Sequence, residues 1–134
     1  MGSEASWELP LDGLRVVQCR VDYGFTLILG DDSPDAFELR IEGGFELLGG
    51  SAKTKLDPST GPPAIAPALS LLNKEIDGGQ ALENGELIVQ FTHGVLLRVS
   101  PSEFEAWTLS GPSGFRFVSL AGGGLGIWNR GLSS

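Results

Sequence analysis

The sequence predicts an α+β domain in which two antiparallel β-meanders, about eight or nine strands in all, flank one central helix. Three observations point there. Short runs of alternating apolar and polar residues recur along the chain, the period of half-buried strands. Twenty glycines in 134 residues punctuate those runs instead of gathering in one tract. One stretch differs: Ile65, Leu69, Leu72 and Ile76 repeat at spacings of four, three and four, the apolar stripe of an amphipathic helix.

In Arg15 to Tyr23, Val17, Cys19, Val21 and Tyr23 alternate with Gln18, Arg20 and Asp22, which reads as a first strand. Gly24 allows a turn or bulge before Phe25, Leu27 and Leu29, which alternate with Thr26 and Ile28. Turn formers fill Asp31 to Asp35. Phe37, Leu39 and Ile41 then face one way and Glu38, Arg40 and Glu42 the other. Phe45 to Leu48 forms a fourth strand that stops at Gly49-Gly50, and the polar, proline-rich stretch from Ser51 to Pro63 reads as a surface loop. In the helix that follows, Pro67 belongs to the first turn, where its missing N–H costs nothing, and Gly78 supplies the end cap. Glu86 to Thr92 and Val95 to Val99 form a hairpin across His93-Gly94. Phe104 to Leu109 and Phe115 to Leu120 are two further strands, and Leu125 to Trp128 follows three consecutive glycines. The expected core is Phe37, Leu39, Ile41, Leu87, Val89, Phe91, Leu97, Val99 and the helical stripe.

The halves parallel one another, with Thr26 to Leu29, Phe37 to Glu42 and Phe45 to Leu47 set against Leu87 to Gln90, Leu96 to Val99 and Phe104 to Trp107. An internal duplication would explain the match. A length of 134 residues fits a single domain, 1–134.

Charge and cysteine content narrow the function. Acidic side chains number 17 against 9 basic ones, a formal net charge of −8 that repels nucleic-acid backbones and anionic lipid surfaces. The lone Cys19 forms no intrachain disulfide and excludes a cysteine-rich zinc site. The opening residues lack the basic and apolar regions of a signal peptide, and no apolar run approaches the roughly 18 residues of a membrane span, so a cytoplasmic protein is expected.

The second half, with His93-Gly94, Leu97 to Pro101, Phe104 to Trp107, Gly111 to Gly114 and Gly122 to Trp128, resembles a small actinobacterial single-domain family of unknown function. The opening Trp7 to Leu14 and Val21-Asp22-Tyr23 are similar to the same family. The resemblance implies a bacterial protein and carries no activity.

The chemistry of the residues is sparse. His93 is the only histidine, at a turn and without a nucleophile elbow beside it, so neither a triad nor a catalytic zinc site is expected. The glycine-rich Ala121 to Gly126 precedes a strand and not a helix, which excludes a phosphate cradle. Asp31, Asp32 and Asp35 concentrate carboxylates without calcium-loop spacing, and with Glu38 and Glu42 they are the candidate binding face. The imbalance supports that choice, because residues 1–67 carry 11 acidic and 5 basic side chains whereas residues 68–134 carry 6 and 4. The expected function is a non-catalytic acidic binding protein, immunity-like in neutralising a basic protein partner. A self-assembling β-domain that forms homo-oligomers through strand edges, or a small-molecule binder with a pocket between the meanders, are the alternatives. Neither cofactor nor metal is expected.

Overall fold

Among the described residues twelve strands follow one another: β1 (Ser6–Glu8), β2 (Arg15–Val21), β3 (Phe25–Gly30), β4 (Phe37–Ile41), β5 (Phe45–Gly49), β6 (Ala52–Leu56), β7 (Ile76–Leu82), β8 (Leu87–Phe91), β9 (Val95–Val99), β10 (Trp107–Ser110), β11 (Arg116–Ser119) and β12 (Leu125–Trp128). The computed structural model describes residues 5–30 and 35–128. All pairings are antiparallel, and they build two six-stranded sheets in the orders β1-β7-β8-β9-β5-β6 and β12-β11-β10-β4-β3-β2. Alternation decides which side chains turn inward: Phe25, Leu27 and Leu29 from β3, Phe37, Leu39 and Ile41 from β4, and Leu87, Val89 and Phe91 from β8 are all buried. Across the sheets Phe25 stacks on Phe45 with ring centroids 5.7 Å apart. Trp107 is fully buried on β10, and its indole Nε1 donates to the carbonyl of Gly85 in the β7–β8 turn at 2.8 Å, fastening one sheet to the other.

The α+β expectation is corrected to an all-β fold with three more strands than the upper expected count. In place of the central α-helix stands a 3₁₀ helix, Pro62–Leu71, that contains Pro67. Pro67 lies inside the segment, where it removes an i→i−4 donor and its ring would clash with the carbonyl of residue 63, so a regular α-helix is disfavoured here. With three residues per turn, the inward positions recur every third residue: Ile65, Ala68 and Leu71 are buried. Leu69 and Leu72, expected in the core, are 46% and 45% exposed, and Ile76 is buried as the first residue of a strand. Gly78, expected as a helix cap, lies in β7 at a β-bulge, and the expected loop from 51 to 63 contains β6.

The two strand orders are related by an internal two-fold. Exchanging β2 with β7, β3 with β8, β4 with β9, β5 with β10 and β6 with β11 turns β11-β10-β4-β3-β2 into β6-β5-β9-β8-β7. The relation extends to irregularities. β2 carries an extra residue between Val16 and Gln18 opposite β3, and β7 carries one between Ile76 and Gly78 opposite β8. At the start of these strands Arg15 and Glu75 form an isolated antiparallel bridge. Around it Val16 N–H donates to Lys74 O at 2.9 Å and Ile76 N–H to Leu14 O at 2.7 Å, while Gly13 N–H donates to Ile76 O and Asn73 N–H to Val16 O, both at 2.8 Å. Each bond maps onto the other under the exchange, so the axis passes through the bridge. The register also pairs Phe45 with Trp107 as equivalents, because Leu47 faces Leu97 and Leu109 faces Leu39. Phe104, set against Phe45 on sequence grounds, is 76% exposed and precedes β10.

Candidate functional site

Strand alternation places Glu38 on the outer face of β4, with Glu42 just beyond the strand, and the same face presents arginines. Glu38 lies 4.0 Å from Arg20. Arg40 donates from Nε to Glu42 at 2.7 Å, from Nη1 to Thr26 Oγ1 at 3.1 Å and from Nη2 to Asp22 at 3.2 Å. Its guanidinium lies over Gly24, where a Cβ would be 2.5 Å from Nη2. The backbone N–H of Gly24 and the Arg40 guanidinium together hold the Asp22 carboxyl below its ordinary pKa of 3.8. Asp31 and Asp32 lie outside the described residues, and Asp35 is exposed. Among the described residues, therefore, Glu38 and Glu42 are interleaved with cations, not gathered into a field of one sign.

Carboxylates without such partners gather elsewhere. Glu8 ends β1, Asp12 follows in the turn that leads to β2, and Asp77 is the extra residue of the β7 bulge. The three line a groove of about 330 Å³ floored by Gly78 and Gly79, with Gln80, Gln90, Leu9 and Ile88 completing it. Local structure brings them together. Leu9 N–H bonds to Gly79 O at 2.9 Å and Gly13 N–H bonds to Ile76 O, which lays residues 9–13 along the bulged end of β7. Among the described residues no lysine or arginine lines the groove, and none of the three carboxylates takes part in an ion pair. A groove between β5, β6 and β9, about 360 Å³, differs in that Glu46 and Asp57 are balanced there by Lys55 and Arg98. The β1–β7 groove thus offers three uncompensated negative charges, two side-chain amides and a backbone floor, a setting complementary to a guanidinium or ammonium group.

Sequence reasoning missed these three because they come from distant segments and one depends on a bulge. His93 occupies the tip of the β8–β9 hairpin with φ 68° and ψ 25°, a left-handed conformation that histidine adopts more readily than most residues. Cys19 is half-buried on β2, and burial pushes its thiol pKa up, away from thiolate reactivity. No helix among the described residues is long and apolar enough to cross a membrane.

Fold and site together define an all-β domain of two six-stranded antiparallel sheets, related by an internal two-fold, with an acidic groove at one sheet edge. The chain belongs to the family described as Family of unknown function (DUF6188), which matches residues 7–129. Neither a curated protein nor a solved structure matches it.

Proposed function

We propose that this chain is a non-catalytic acidic binding protein that receives a cationic side chain of a basic protein partner in the β1–β7 groove. The observation that carries the reading is that Glu8, Asp12 and Asp77 line one groove with no lysine or arginine among its described lining residues. An incoming guanidinium finds acceptors in the Glu8, Asp12 and Asp77 carboxylates and in the Gln80 and Gln90 amide oxygens that line the groove. The overall charge of −8 adds long-range attraction that speeds encounter with a basic surface. An immunity-like role, in which such binding neutralises a basic effector, is the biological setting this chemistry fits.

The test uses an acetylated, amidated Arg-Gly-Arg peptide and its Glu-Gly-Glu counterpart, titrated into the isotopically labelled protein. Backbone shifts are expected at residues 8–12 and 77–80 with the basic peptide alone. The Asp12→Asn/Asp77→Asn variant should bind at least about tenfold more weakly, equivalent to about 1.4 kcal/mol. Equal affinity of the variant, or shifts confined to the β3–β4 face, would remove the groove as the site.

A further inference from the structure

The internal two-fold assigns a counterpart to every groove residue on β7 and in the turn before β2. Leu11-Asp12-Gly13-Leu14 corresponds to Leu71-Leu72-Asn73-Lys74, since Leu14 N–H bonds to Leu11 O and Lys74 N–H to Leu71 O, both at 3.0 Å. The bulge residue Asp77 corresponds to Val17. Where one side of the axis has Asp12 and Asp77, the other therefore has Leu72 and Val17. These two are 45% and 39% exposed, and Leu69, whose carbonyl accepts from Leu72 N–H at 3.2 Å, is 46% exposed. Three exposed aliphatic residues thus gather where the 3₁₀ helix meets β2, while the fully buried Leu71 fixes the backbone beneath them. The two places flank the same Arg15–Glu75 bridge, both of whose residues are exposed, so they border one continuous stretch of surface.

We infer that the partner recognised by the acidic groove presents an aliphatic or aromatic side chain beside its cationic one, and that Val17, Leu69 and Leu72 receive it. The inference rests on the groove reading. Charge complementarity selects the occupant: a segment that enters the field of Glu8, Asp12 and Asp77 with its basic group and continues across the bridge meets the apolar patch next. Burying the patch supplies affinity that exposed charges in water do not. The division follows the usual one at interfaces, with desolvated apolar contacts holding and charges steering.

The experiment extends the Arg-Gly-Arg peptide with a Leu-Leu pair, joined by glycine spacers of three lengths, and measures Kd by calorimetry. With the matching spacer the extension should tighten binding about tenfold. Leu69→Ser/Leu72→Ser should erase that tightening and leave the affinity for Arg-Gly-Arg unchanged, with circular dichroism and the melting curve checking the fold. Val17→Ser, on the opposite element, should reproduce part of the loss. An extension that brings no tightening with any spacer, or tightening that survives in the serine variant, overturns the apolar contact while the groove reading stands if Arg-Gly-Arg still binds. Absence of binding by every peptide overturns both.

Discussion

On the two sides of the Arg15–Glu75 bridge the same backbone is built from different residues. Leu11 and Leu71 are both fully buried, and Gly13 and Asn73 both have positive φ, at 87° and 73°. Leu72, at φ −56° and ψ 131°, and Asn73 form the middle of a type II turn, whose third position demands positive φ and hence glycine or asparagine. What the two sides share is the buried leucine and the left-handed residue. What they do not share is everything facing solvent: Asp12 against Leu72, Asp77 against Val17. The element leading into each turn differs as well, a strand, β1, on one side and a 3₁₀ helix on the other. Local geometry is thus dictated by few positions, and the remainder are free to give one side charge and the other apolar surface.

Substitutions at the shared positions should cost most. Leu11→Ala and Leu71→Ala are each expected to destabilise by about 2–5 kcal/mol in denaturant unfolding; a large difference between them would break the equivalence. Trp107→Phe, which makes β10 resemble β5 with its Phe45, leaves the buried Gly85 carbonyl without its donor and should cost about 1–3 kcal/mol. A null effect would show that water replaces the indole. At the turns, Gly13→Ala should cost about 1–2 kcal/mol because alanine resists positive φ, whereas Asn73→Gly should change stability by only a few tenths.

A pH measurement separates the halves further, because Asp22 follows β2 while its counterpart after Ala81 is the uncharged Leu82. Since folding lowers the Asp22 pKa from 3.8, its charged form contributes stability that is present above that value and lost as pH falls through the lower folded-state pKa. Asp22→Asn should therefore flatten the stability profile below about pH 4, and an unchanged profile would remove Asp22 from the acid response. The smallest effect is expected for the exchange Val17→Asp with Asp77→Val, within about 0.5 kcal/mol, since both sites face solvent. A larger loss would mean the exposed positions also hold the backbone.

Strands with a buried face and a solvent face were legible in the sequence. β4 and β8 keep clean alternation, and their inward residues are the core that alternation indicates. β6 was hidden because its run Ala-Lys-Thr-Lys-Leu buries only Leu56, as suits an edge strand. β7 was hidden because Gly78 and Gly79 depress strand propensity and the bulge breaks its period. The 3₁₀ helix was misread because Ile65, Leu69, Leu72 and Ile76 fit a period of 3.6, while the prolines impose one of three. For the candidate groove, the acidic composition is readable in the sequence but its focus is not. A signal for the repeated turn does exist: leucine two residues before glycine or asparagine, then a β-branched residue three later, occurs at 11, 13 and 16 and again at 71, 73 and 76.

The exchange of strands between sheets bears on how the chain is made. The β5–β6 hairpin from the first half joins a sheet whose remaining strands, apart from β1, come from the second half, pairing with β9, and β10 joins β4 in the opposite direction. During synthesis β2, β3 and β4 emerge first as a meander, and β5 follows with β6 as its hairpin partner but without β9, its other neighbour, until Val99 has left the ribosome. Neither half closes a core of its own, so folding is late, dominated by distant pairings and therefore slow. Nascent chains stalled with Leu82 just outside the tunnel should leave unprotected the β5 amides that bond to β9, and chains released at full length should acquire that protection together with the edge of β4 that pairs with β10. Until that moment the newborn chain displays Phe45 and Phe25 apart, without the ring stacking that joins the two sheets in the folded domain.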